Sequence, residues 1–120
     1  MFTAAIVTIA SANFDRTIDF YTQFLEIAPQ GCIPNVYAEF RLPGLRLAIF
    51  CPHPNNRAEF SHPHQSGMSI CLEVDSVEDA IAKLTQLGYS PSGSITVASH
   101  GREIYAYDPD GNRLILHQGA

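Results

Sequence analysis

The stretch IVTIASANFDRTIDFYTQF, residues 6–24, and the stretch SICLEVDSVEDAIAKLTQL, residues 69–87, align on each other without a gap. Ile9 falls on Leu72, Ile18 on Ile81, Tyr21 on Leu84 and Phe24 on Leu87, and Thr22-Gln23 recurs as Thr85-Gln86. A self-match of this kind marks an internal duplication, so either copy can be read for the structure of both. Residues 3–10 and 67–74 have the β-branched, alternating character of a half-buried strand. Polar N-cap candidates follow, Asn13 and Ser76, each with acidic residues in the next turn, where the helix dipole favours them. The predicted helices carry the apolar stripes Phe14, Ile18, Tyr21, Leu25 and Val77, Ile81, Leu84, Leu87, at spacings that turn one face to a sheet. Gly88 supplies a left-handed stop for the second helix. The first runs out near Pro29.

Working outward, three strand candidates follow each helix: 30–33, 36–42 and 45–51 in the first copy, and 92–98, 102–107 and 112–118 in the second. Tyr37-Ala38-Glu39 is aligned on Tyr105-Ala106-Tyr107, and Gly44-Leu45-Arg46-Leu47 on Gly111-Asn112-Arg113-Leu114, with one residue of loop length between them. Pro43-Gly44 and Pro109-Asp110-Gly111 are turn sequences that close the last hairpin of each copy. The pattern is βαβββ, twice. It predicts a single domain over 1–120, with unit one at about 1–51, a linker at about 52–66 and unit two at about 67–120. The linker is rich in Pro, His and Asn, carries no periodicity and is expected to be a mobile loop.

Composition narrows the function. The chain has 120 residues, 46% of them hydrophobic and 16% charged, as expected of one folded domain with a real core. Its seven Lys and Arg are scattered and the formal net charge is -5, which argues against a nucleic-acid partner. No segment has the apolar length of a membrane span. Cys32, Cys51 and Cys71 are far apart and form no CxxC, so they read as reduced thiols. Residues 1–15 show neither a basic leader region nor a cleavage pattern, and the expected location is the cytoplasm.

Two segments carry a resemblance. FDRTIDFYTQFLEI and YAYDPDGNRLILH, with VDSVEDAIAKLTQLGY as a third match, resemble the vicinal oxygen chelate superfamily of glyoxalase I, extradiol dioxygenases, and fosfomycin and bleomycin resistance proteins. The resemblance implies an α+β fold in which two tandem βαβββ units form a cup-shaped mixed sheet with helices on the outside. Metal-dependent members hold a divalent ion in that cup with His, Gln or Glu. Carried over residue by residue, those positions are Ile6, Ala48, Ser69 and Ile115. Ile and Ala offer no lone pair and a single Ser is a poor ligand, so the usual metal site is absent and no cofactor is expected.

Strand alternation from those positions puts Thr8, Arg46, Phe50, Cys71, Glu73, Arg113 and His117 on the cup wall, and pairing adds Tyr37, Glu39, Glu103, Tyr105 and Tyr107. Aromatic surface with a few Arg and carboxylate groups suits a small planar or anionic molecule. The same side chains could equally fill and rim a cup with no ligand. Glu73 or Glu103 with His117 forms a candidate acid-base pair. Cys71 is either a nucleophile or inert packing. His53, His62 and His64 invite a metal reading, but a surface loop explains them better, and Asp108 is expected to brace its turn.

The reading that follows is a metal-independent small-molecule binding protein of the bleomycin resistance kind. The alternatives are a lyase or isomerase with an absent or non-standard metal site, and a protein-interaction module with a filled cup. The resemblance also implies a homodimer. Ligand identity does not follow from fold class.

Overall fold

A computed structural model describes all 120 residues. The chain divides into two compact units, Met1–Ser61 and His62–Ala120. In the first, β1 (Val7–Ala10) leads into α1 (Phe14–Leu25), followed by β2 (Cys32–Ile33), β3 (Tyr37–Leu42) and β4 (Leu45–Phe50). The second repeats the order with β5 (Ile70–Glu73), α2 (Val77–Leu87), β6 (Thr96–Ala98), β7 (Gly101–Tyr107) and β8 (Arg113–Gly119). Each unit has a four-stranded mixed sheet, in the orders β1-β4-β3-β2 and β5-β8-β7-β6. The first strand of each lies parallel to the last, and the other neighbours are antiparallel.

Each helix covers one sheet face, and the core lies between them. In the first unit Phe14, Thr17, Phe20 and Tyr21 of α1 are buried, together with Ile9, Ala38, Phe40, Leu47 and Ile49 of the sheet. The Tyr21 and Phe40 rings lie 6.1 Å apart, and Tyr21 also meets Phe20 edge-on at 5.0 Å. The buried stripe therefore differs from the expected one: Thr17 and Phe20 replace Ile18 and Leu25, which are only half-buried. Both stripes have helical spacing and share Phe14 and Tyr21; the buried one adds Phe20, whose ring packs edge-on against Tyr21. In α2 Val77 and Leu84 are fully buried, with Ile81 and Leu87 at the margin.

The helix ends follow local chemistry. Ser76 accepts a hydrogen bond from Asp79 N at 3.1 Å, which satisfies one of the free N–H groups of the first turn. Gly88 closes α2 at φ 95°, whereas α1 stops at Leu25 with Glu26 in the left-handed region at φ 58°, earlier than Pro29 suggests. The expected featureless linker instead contains two 3-10 segments, Pro54–Phe60 and Pro63–Gln65. Each opens on a proline, whose fixed φ suits a tight first turn. Asp108 braces the last turn, its Oδ1 accepting from the N–H groups of Asp110 and Asn112, both at 2.9 Å.

The register corrects one alignment. Glu39 lies opposite Ala48, and Tyr105 lies opposite Ile115. Ala48 and Ile115 occupy the same place beside Thr8 and Cys71. Glu39 is therefore the counterpart of Tyr105, and Tyr37 of Glu103, two residues away from the sequence match. The cause is the last hairpin: four residues separate the paired Arg41 and Arg46, and five separate Tyr107 and Arg113. A two-residue slip preserves the face on which each side chain lies.

Candidate functional site

The face of each sheet turned away from its helix carries the side chains that chemistry could use. In the first unit the register forms the row Thr8, Ala48, Glu39 and the row Ala10, Phe50, Tyr37, with Arg46 opposite Arg41 in a third. In the second, Cys71, Ile115 and Tyr105 form one row and Glu73, His117 and Glu103 another, with Arg113 opposite Tyr107. The twelve residues expected on one wall thus divide into Thr8, Tyr37, Glu39, Arg46 and Phe50 on one sheet, and Cys71, Glu73, Glu103, Tyr105, Tyr107, Arg113 and His117 on the other.

On the first sheet one carboxylate serves two arginines and a tyrosine. Arg46 Nε donates to Glu39 Oε1, and Tyr37 Oη donates to Glu39 Oε2 at 3.0 Å. Arg41 Nε stands 3.9 Å from the same carboxylate. The Arg46 hydrogen bond holds Glu39 below the usual carboxylate range, and Glu39 in return raises Arg46. Tyr37 is pushed up, first by desolvation and then by the carboxylate it bonds to.

On the second sheet the arginine has different company. Arg113 Nε donates to Ser69 Oγ at 2.6 Å, and Nη2 reaches the carbonyl oxygens of Ser66 and Met68 at 2.9 and 3.3 Å. Its guanidinium carbon lies 6.0 Å from the centre of the Tyr105 ring. Farther along the strand, His117 Nδ1 lies 2.6 Å from Glu73 Oε1, and His117 Nε2 lies 3.0 Å from His100 Nδ1. The two imidazoles stack with centroids 5.2 Å apart. Cys71 is exposed as a residue, yet desolvation and then the charges of Glu73 and Glu103 raise its thiol. That shift disfavours the thiolate a nucleophile needs.

His100 was not evident from the sequence because it sits in the turn between β6 and β7, outside any strand alternation. The signal available there is Gly101, which has φ 141° and would place a Cβ 2.9 Å from His117 Nε2. Only glycine lets the chain pass that close. Of the linker histidines, His62 and His64 lie with ring centroids 6.3 Å apart. His53 Nδ1 accepts from Asn55 N at 3.2 Å and caps a 3-10 turn, and no three donors gather to hold a metal anywhere in the chain.

The residues at the four positions that the resemblance assigns to metal ligands do not fit a divalent ion. Ile6, Ala48 and Ile115 present hydrocarbon, and Ser69 Oγ is engaged by a guanidinium whose positive charge opposes a cation. Donors of the required type are missing at those positions on both sheets.

The chain matches the family described as Glyoxalase/Bleomycin resistance protein/Dioxygenase superfamily over residues 4–116. Among solved structures, a glyoxalase-related enzyme from Fulvimarina pelagi has 18% identity and a TM-score of 0.79, with 99% of this chain and 89% of that one covered. A mutant of the fosfomycin resistance protein FosX from Listeria monocytogenes, complexed with Mn(II) and a dihydroxypropylphosphonic acid, has 19% identity and a TM-score of 0.78, with coverage of 100% and 93%. A bleomycin-binding protein complexed with bleomycin has 23% identity and a TM-score of 0.68, with coverage of 99% and 100%. At these identities the likeness is one of fold. No curated protein matches the sequence.

Proposed function

Because the chain belongs to the glyoxalase/bleomycin resistance protein/dioxygenase superfamily, we propose that it is a metal-independent binding protein for a small organic molecule held against a helix-free sheet face. One observation carries this reading: aromatic, Arg and carboxylate side chains line those faces, while the inherited metal positions hold Ile6, Ala48, Ser69 and Ile115. A mixed wall of this kind orients a small ligand through a few polar groups while burying its apolar surface. Its charged and hydroxylated character supports a small-molecule site over a protein-interaction surface. The bleomycin complex of a relative with the same fold supports sequestration as the mode of action. The proposal includes a homodimer in the cytoplasm.

Native mass spectrometry of protein purified without added metal or chelator tests this directly. The expected spectrum is a metal-free dimer, with a small-molecule adduct that denaturation releases. A stoichiometric divalent metal would overturn the proposal.

A second reading rests on the His117–Glu73 contact at 2.6 Å. A carboxylate on Nδ1 positions the imidazole, and a substrate that displaced His100 from its 3.0 Å contact with Nε2 would meet a general base of the kind a lyase or isomerase uses. Incubating the released ligand with the protein in deuterium oxide tests it. Deuterium entering the ligand with the native protein, but not with His117→Gln, supports catalysis; no exchange with either rules it out.

A further inference from the structure

Arg46 and Arg113 are equivalent residues of the duplication, and their surroundings differ in one decisive respect. Each stands two residues before an inherited metal position, Ala48 or Ile115, on the helix-free face of its own sheet. Diagonal to Arg46 across the neighbouring strand is Glu39, which neutralises it. The register-equivalent residue diagonal to Arg113 is Tyr105, which offers a ring face. The partners of Arg113 are the oxygens of Ser66, Met68 and Ser69, all neutral, and none of its interactions is with a carboxylate. These bonds engage Nε and Nη2 and fix the plane of the guanidinium.

We propose that Arg113 is an anion-recognition group, and that the ligand of the second unit's sheet face is a small aromatic carboxylate. The argument is one of charge and shape. The chain carries a net charge of -5, so an anion needs a local cation with no carboxylate bonded to it. Arg113 meets that condition and Arg46 does not; Glu73 and Glu103, the carboxylates on the Arg113 face, stand two rows away beside His117. A guanidinium fixed by neutral acceptors keeps its full charge and presents its remaining edge to a carboxylate in a preorganised way. Tyr107 directly opposite Arg113 and Tyr105 beside it are 38% and 51% exposed, and they supply the surface on which an aromatic ring stacks. An inorganic anion would use the guanidinium and leave both rings unused. The inherited cation site is thereby replaced by an organic cation, which attracts an oxyanion without coordinating it. This inference rests on the small-molecule binding reading and specifies the ligand class and the residue that selects it.

The test is an NMR titration of uniformly labelled full-length protein with benzoate, its neutral isostere benzamide, and inorganic phosphate. The readouts are the Arg113 side-chain Nε–H and the Tyr105 and Tyr107 ring signals. Benzoate is expected to shift all three, and benzamide and phosphate to bind at least about ten-fold more weakly, the scale of one lost charge-assisted hydrogen bond. Arg113→Met is expected to lose benzoate binding by a similar or larger factor, while Arg16→Met, which removes an exposed helix charge, leaves it unchanged. Because Arg113 also anchors residues 66–69, Arg113→Lys is the second variant: it keeps the charge, loses the planar fork, and is expected to bind with intermediate affinity. Equal binding of benzoate and benzamide, wild-type affinity in Arg113→Met, or no shift with any probe would each overturn the proposal. A small molecule retained in native mass spectrometry despite such a failure would leave the broader binding reading standing without this ligand class.

Discussion

Replacing Gly101 with alanine should be among the most damaging single-methyl additions to this protein. Gly101 has φ 141°, and a Cβ there would lie 2.2 Å from the backbone oxygen of Gln118 and 2.9 Å from His117 Nε2. Two costs combine. Holding a non-glycine residue in that backbone region costs about 1–3 kcal/mol, and forcing a carbon into the β7–β8 ladder costs about 1–3 kcal/mol more as the strands separate. The minimum is therefore about 2 kcal/mol. At roughly 4 °C per kcal/mol for a domain of this size, the melting temperature should fall by about 8 °C or more. Gly119 is the ladder partner of Gly101, but neither it nor Gly93 has any atom within 4 Å of its added carbon, and neither has a positive φ. Gly119→Ala and Gly93→Ala should melt at or slightly above the wild-type temperature, since a compatible alanine restricts the unfolded chain. Thermal melts of the three variants followed by circular dichroism decide the matter. If Gly101→Ala melts with its controls, the strained passage of the chain beside His117 is refuted.

Other outcomes follow from the same structure. Leu84 of α2 is fully buried against its sheet, and Leu84→Ala should cost about 2–5 kcal/mol in urea unfolding with an unchanged slope against denaturant. Glu39 has a lowered folded pKa, so its ionised form stabilises the fold above the ordinary value near 4.5, and that contribution is lost as pH falls through the lowered value. Glu39→Gln should accordingly be less stable than wild type at neutral pH, with the gap closing on acidification below that window; a constant gap would contradict the Arg46 pairing. Addition of a strong chelator should leave the melting temperature of the purified protein unchanged, and a clear fall would reveal a stabilising metal.

The duplicated strand-helix-strand order was legible because it rests on periodicity, and each copy supports the other. What the sequence left ambiguous was decided by single contacts. The α1 spacing reads as a stripe through Ile18 and Leu25, whereas the helix is turned so that Thr17 and Phe20 are buried with Phe14 and Tyr21. The Tyr37 alignment slipped by two residues because a tyrosine-alanine pair recurs in both copies, while hairpin length, which fixes register, cannot be read from composition. The faces of the candidate residues survived that slip, since strand alternation has a period of two. The expected pairing of Glu73 with His117 is present, whereas the bonding of Arg46 to Glu39 is not legible in the sequence, because whether Glu39 or Tyr105 stands diagonal to an arginine depends on register alone. His100 lay outside every periodic segment, and its approach to His117 depends on one glycine.

The equivalence of Glu39 and Tyr105 has an evolutionary consequence. Two halves that descend from one ancestor begin with the same residue at this place, and they now differ in how they treat their arginine: Arg46 is bonded to a carboxylate, and Arg113 is bonded to neutral oxygens alone. An exchange at position 39 would release Arg46, but Arg41 stands opposite it where Tyr107 faces Arg113, so the first half would gain a free cation beside a second cation and not a copy of the other face. The carboxylate at position 39 thus separates the two halves in charge, although they share one order of strands and helix.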